Sequence, residues 1–241
     1  MWYIVVPDVE MTLNVVLSDS DVTGNSASHG GFFALVNTYT DFVYSVTMEG
    51  LLADGNIATQ YGGFAVFPSG GSQRVQITSC QVSNSQAAFG GAIYLVRSVD
   101  SITAASLHIT DSEFSLNEAE SGGGVLLADV NGATLIDLVI SNSYFHENGA
   151  LNGGAISGKL SDPTGQFTLN FTANQFVNNS AAISGGAVYM DGVASGLLQH
   201  NEWRDNTASK FGAYYMALAG TPTWVATNDT IGNNLADCAA A

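Results

Sequence analysis

The chain has 241 residues, with 5 basic against 21 acidic side chains for a net charge of −16, and only 11% of it is charged, where globular domains average roughly 25%. So few cations exclude a phosphate-binding surface and hence nucleic acid as a partner. The 46% apolar and 10% aromatic content excludes a disordered acidic chain, and no apolar run approaches the roughly 18 residues of a membrane span.

In chain order, Met1 to Pro7 read as a strand, lacking the basic start and long apolar core of a secretory signal. From there a repeat organises the sequence. A Gly-Gly pair followed by an apolar residue occurs at Gly30-Gly31-Phe32, Gly62-Gly63-Phe64, Gly90-Gly91-Ala92, Gly123-Gly124-Val125, Gly153-Gly154-Ala155 and Gly185-Gly186-Ala187, with a worn copy at Phe211-Gly212-Ala213. The intervals between second glycines are 32, 28, 33, 30, 32 and 26 residues. Ahead of each pair stands a bulky residue, two variable ones and Asn, clearest at Phe114/Asn117, Phe145/Asn148, Phe176/Asn179 and Trp203/Asn206. Val22/Asn25 and Ile231/Asn234 extend this column to both ends, Val82 reaches Ser85, and the stretch from Leu51 to Asn56 fits only with a short insertion. Four residues before the bulky position lies a hydroxyl: Ser18, Thr78, Thr110, Ser141, Thr172 and Thr227.

Segments such as Ala92 to Val96 and Leu107 to Thr110 are short, rich in β-branched and aromatic residues and bounded by Gly, Asn, Ser and Asp, so they are predicted strands. No sustained helical period occurs. Strands recurring every thirty residues or so, with like residues in fixed columns, predict an all-β, right-handed parallel β-helix of about eight coils, in which each column stacks at about 4.8 Å. In this reading Phe114, Phe145, Phe176 and Trp203 form an internal aromatic stack. Asn117, Asn148, Asn179 and Asn206 form an amide ladder at a bend whose left-handed backbone Asn tolerates. Residues 1–241 are expected to be one β-helix domain, a segment of a longer chain.

The Gly-Gly-Ala-Ile runs at 90–93 and 153–156, with Phe-x-x-Asn at 114–117, 145–148 and 176–179, resemble the repeats of the chlamydial polymorphic outer membrane proteins. The resemblance covers roughly residues 18 to 235 and weakens in the first two repeats. It implies the pectin lyase-like right-handed parallel β-helix, a surface location, and adhesion by analogy.

Candidate chemistry is sparse. A glycoside hydrolase needs carboxylates facing one another across a groove, and the best concentration is Glu118, Glu120 and Glu147 with His146 nearby. Twenty-one acids in eight coils produce such clusters as solvated turn residues, so no catalytic residue is assigned. Arg74, Arg97, Lys159, Arg204 and Lys210 are scattered, which disfavours a lyase acting on an anionic polymer. His29, His108, His146 and His200 occupy different columns, so no metal or cofactor site is assigned. Cys80 and Cys238, five coils apart, lie beyond disulfide reach. Tyr94, Tyr189, Tyr214 and Trp224 are candidates for a carbohydrate-stacking face, and Asn170, Asn178 and Asn228 stand in glycosylation sequons. Neither terminus has the pattern of a cap, so the chain is expected to continue or to stack end to end or laterally with other chains. The expected function is a non-catalytic extracellular or cell-surface adhesin, stalk or filament element contacting proteins and surface glycans, with a polysaccharide-active enzyme or a carbohydrate-binding module as alternatives.

Overall fold

Three sharp corners per coil, each built on a residue with left-handed backbone, wind the chain into a parallel β-helix. The structure, a computed structural model, describes residues 2–5, 12–36, 43–67, 73–97, 105–130, 135–160 and 165–236. Among these no helix occurs, and successive coils pair in parallel register, as in Phe114↔Phe145, Phe145↔Phe176 and Phe176↔Trp203. Ladder partners in adjacent coils are 27 to 32 residues apart, which is the repeat seen in the sequence.

Each coil visits four faces. The first runs from Thr12–Ser18 through Ala105–Thr110 to Gln166–Thr172. A second face of eight three-residue strands begins at Asp21–Thr23 and ends at Thr230–Gly232, and a third face of eight begins at Ser26–His29 and ends at Leu235–Ala236. The fourth face starts at Trp2–Val5 and continues through Phe33–Val36 and Ile93–Arg97. The first and fourth faces belong to one 14-stranded sheet, because Val188–Gln199 and Tyr214–Thr227 run through both without a break.

The core follows from strand alternation. In Ala105–Thr110 the residues Ala105, Leu107 and Ile109 point inward and are buried, while Ser106, His108 and Thr110 face out. The aromatic stack is present, with ring centroids 5.2 Å apart for Phe114–Phe145, 4.9 Å for Phe145–Phe176 and 4.3 Å for Phe176–Trp203. Stacked pairs of this kind add about 0.5–1.5 kcal/mol each beyond the area they bury.

The asparagine ladder also forms, but its residues are not the left-handed ones. Positive φ falls one position earlier, at Leu116 (56°), Glu147 (57°), Asn178 (55°) and Asp205 (56°). The ladder asparagines instead turn inward and are buried: Asn117 Oδ1 accepts from Ser85 N–H, and each later Oδ1 accepts from the backbone N–H and Nδ2 of the Asn one coil before. The bend thus divides two tasks between neighbours: one residue supplies the turn and the next satisfies the backbone that the turn strands. The second repeat needs no insertion either. Ala53 stands in register between Val22 and Val82, and Asn56 follows it at the regular spacing, accepting from Asn25. Alanine in a bulky column hid that copy.

Candidate functional site

An open groove of about 700 Å³ lies on the third face, crossing strands Ile57–Tyr61, Gln86–Phe89, Glu118–Ser121 and Gly149–Asn152. Small residues make it a groove: Ala88, Gly149 and Ala182 line it where longer side chains would fill it. Among the described residues, Glu118 and Glu120 are the carboxylates in its lining, and no cation lines it. Both come from one strand, and the register partners of Glu118 in adjacent coils are Gln86 and Gly149. Among the described residues no second carboxylate therefore faces this pair across the groove, as hydrolysis by paired acids requires. The groove can accept hydrogen bonds and make apolar contact at Ile57 and Leu151.

Glu147 and His146, grouped with those glutamates by sequence, lie elsewhere. Glu147 is the left-handed residue of its bend, and His146 belongs to the second face. There the His146 ring stacks on Tyr144 at 4.3 Å, with Nε2 3.0 Å from Glu113 Oε1 and Nδ1 3.8 Å from Glu147 Oε2. His29 stands on the third face, His108 on the first and His200 at a corner. Among the described residues no group of three or more His, Cys, Asp or Glu side chains could hold a metal ion. Arg74, Lys159, Arg204 and Lys210 sit on four different faces, and Arg204 pairs with Glu202 at 3.0 Å and Asp205 at 2.9 Å.

The aromatic candidates do not share one exposed surface. Tyr94 and Tyr189 occupy one column but are separated by Leu127 and Ser157, and Tyr94 is only 7% exposed. Burial, with Asp129 and Tyr61 nearby, pushes the Tyr94 hydroxyl far above its ordinary pKa. Tyr189 stacks on Tyr215 at 5.1 Å. Tyr214 packs against Trp203 at 4.9 Å, and Trp224 covers Gly196, where an added Cβ would lie 1.8 Å from its ring. A different outer ladder emerges beside the groove: His29, Tyr61 and Phe89, with centroids 5.1 and 5.4 Å apart. Each stands one residue before a glycine pair, a column visible in the sequence once it is aligned on those glycines.

A second internal ladder has no constant residue type to mark it in the sequence. Two residues before the bulky column, Cys80, Ser112, Ser143, Asn174, Asn201 and Asp229 are linked coil to coil, as in Ser112 N–H to Ser143 Oγ (3.2 Å) and Asn174 N–H to Asn201 Oδ1 (3.0 Å). Its mixture of Ser, Asn, Cys and Asp conceals a shared role. Cys80 is buried in this ladder, and Cys238 lies outside the described residues, as does the tail 237–241. Asn170, Asn178 and Asn228 are all exposed, Asn178 and Asn228 at left-handed corners.

No helix among the described residues is long and apolar enough to cross a membrane. No protein-family model matches the chain, and no curated protein or solved structure matches it.

Proposed function

We propose that this chain is a non-catalytic structural element of an extracellular or cell-surface protein, working as a stalk, adhesin or filament unit. The observation that carries this reading is where the patterned residues are spent. The aromatic column and both polar ladders are turned inward and satisfied coil to coil, while the groove holds two carboxylates from a single strand. The likeness of the Gly-Gly-Ala and Phe-x-x-Asn repeats to those of the chlamydial polymorphic outer membrane proteins supports the surface location. A charge of −16 with few lysines suits a protein kept from aggregating by like-charge repulsion.

Two measurements test it. Incubation with a panel of neutral and acidic polysaccharides is expected to release no new reducing ends or unsaturated products; turnover that is lost in Glu118→Gln would overturn the reading. Antibody labelling and protease shaving of intact source cells are expected to reach the protein, and signal only after lysis would count against a surface role.

Carbohydrate binding without turnover is the second reading, favoured by the His29–Tyr61–Phe89 ladder, in which Phe89 is 39% exposed beside the groove. Aromatic faces in a row suit the apolar faces of sugar rings, and Glu118 and Glu120 would accept their hydroxyls. A glycan array with Phe89→Ala as control tests it: binding lost in the variant supports this reading, and absence of any binding removes it.

A further inference from the structure

The net charge of −16 is not spread evenly over the faces. The six first-face strands from Thr12–Ser18 to Gln166–Thr172 carry three full charges, Glu49, Arg74 and Asp137. The short strands of the second face carry Asp21, Asp54, Glu113 and Glu202 against Arg204. Apart from its three charges and His108, the first face turns hydroxyls, amides and aliphatic side chains outward, among them Val16, which at 69% is the most exposed large apolar residue among the described ones. A face so little charged is one on which two strongly acidic chains can approach.

The opposite charges Arg74 and Asp137 stand in one outward column. Arg74, Ser106, Asp137 and Thr168 are register partners in successive coils, and their strand neighbours point into the core. Arg74 and Asp137 are therefore two coils apart, about 10 Å, and do not pair within the chain. Among the described residues Arg74 has no ion pair, and Asp137 accepts from Thr168 Oγ1 at 2.7 Å.

This column is complementary to itself. A two-fold axis laid along the strand Ala105–Thr110 sets a second copy face to face with the first, rods antiparallel, so that the coil before that strand meets the coil after it. Arg74 of each copy then stands opposite Asp137 of the other, giving two reciprocal ion pairs. In the next outward column Gln76 meets Val139, Thr47 meets Asn170 and Val16 meets Leu197. Glu49 meets Thr172, so no carboxylate faces a carboxylate.

From this match we infer that the first face is a dimer interface between two copies of this chain, packed about that axis. Seven coils of strands six or seven residues long cover roughly 700 Å² per copy, close to the ~800 Å² per partner of a specific, stable interface. What selects a second copy as the occupant is reciprocity: one face supplies both the charge and its counter-charge at the spacing the axis requires. The axis lies along a middle coil, so the match does not depend on either end of the chain. The interface is isologous and closed, which gives dimers and nothing larger.

Sedimentation velocity of the 241-residue chain over a range of concentrations provides the test, with circular dichroism checking that every variant keeps its strand signal. The wild type is expected to form a concentration-dependent dimer. Arg74→Asp sets carboxylate against carboxylate at both contacts and Asp137→Arg sets guanidinium against guanidinium, so each variant alone is expected to lose the dimer. Mixed in equal amounts the two are expected to form a one-to-one heterodimer, and both changes in one chain to regain the homodimer, since each combination restores both pairs. If Asp137→Arg loses strand signal, Ser106→Asp takes its place: it brings two carboxylates together on the axis and is expected to be monomeric. A wild type that stays monomeric at every concentration, single variants that dimerise as the wild type does, or two folded single variants that stay apart when mixed overturns the inference. The interface is separable from the scaffold reading: an inert monomer leaves that reading standing, whereas polysaccharide turnover by dimers overturns that reading and leaves the interface intact.

Discussion

Phe176 and Trp203 lie face to face in the interior, their ring centroids 4.3 Å apart and their planes within 5°. They belong to consecutive coils, so the contact joins segments 27 residues apart in sequence and acts between layers. Phe145 occupies the middle of the same stack, with rings on both sides. Phe145→Ala is expected to cost about 3–5 kcal/mol, the range for deleting a buried aromatic side chain, and to lower the melting midpoint by roughly 6–20 °C. Because a solenoid's stability is a sum of nearest-neighbour terms, hydrogen exchange should rise most in the coils around residues 114–176. Uniform loosening of all coils would contradict the layered account.

The asparagine ladder carries a comparable load through polar contacts. Asn148 Oδ1 accepts from Asn117 N–H and Nδ2 at 3.0 Å each, and its Nδ2 donates to Phe114 O at 3.0 Å. Asn148→Ala strands these buried groups at about 1–3 kcal/mol apiece, and a total loss of roughly 3 kcal/mol or more is expected by denaturant titration. Asn25→Ala, at a partly exposed rung where water replaces the amide, should cost under about 1 kcal/mol. Equal losses at the two positions would show that the ladder does not depend on burial.

What the sequence makes legible here is whatever repeats with a constant residue type. The Phe and Asn columns read directly into a buried stack and a buried ladder, because stacking rewards like against like. Legibility fails where one role is filled by different residues. Ala53 serves in a bulky column, and Cys80, Ser112, Asn174 and Asp229 serve in one ladder, so identity alone conceals both. The left-handed bend residue is the extreme case: Leu116, Glu147, Asn178 and Asp205 share a backbone angle and no chemistry. Candidate sites were least legible, since which outward residues meet depends on corner geometry. Glu118 opens the strand that follows the bend at Leu116, whereas Glu147, 29 residues on, is itself the left-handed residue of the corresponding bend in the next coil.

Gly124, in a glycine pair, and Gly149, in the third-face strand Gly149–Asn152, separate two requirements that composition cannot. At Gly124 an added Cβ would lie 2.4 Å from Gly154 O, 2.7 Å from Asn117 O and 2.8 Å from Gly149 O, all backbone and none free to move. At Gly149 it would meet nothing within 4 Å. Gly124→Ala is therefore expected to be severely destabilising, giving little soluble folded protein, whereas Gly149→Ala should leave stability within about 1 kcal/mol of wild type. Soluble expression and melting of the two variants side by side make the comparison.

Cys80 links the second ladder to alkaline stability. Burial pushes its thiol pKa up, and Glu49 adds to the rise. The folded protein thus holds this proton more tightly than the unfolded chain, whose thiol titrates near 8.5. The resulting stabilisation is fully present below that pH and is lost as pH rises through the folded-state value. Ser112 and Ser143 fill the same column and donate to Thr110 O and Ser141 O at 2.8 Å, so serine at position 80 has a ready acceptor in Thr78 O, which the Cys80 thiol contacts at 3.3 Å. Cys80→Ser is expected to fold, to match wild type within about 1 kcal/mol at pH 7, and to decline less steeply between pH 8 and pH 10. Urea titrations of both proteins across that range measure the difference in slope. Parallel slopes would mean that the thiol is as free to ionise in the fold as out of it.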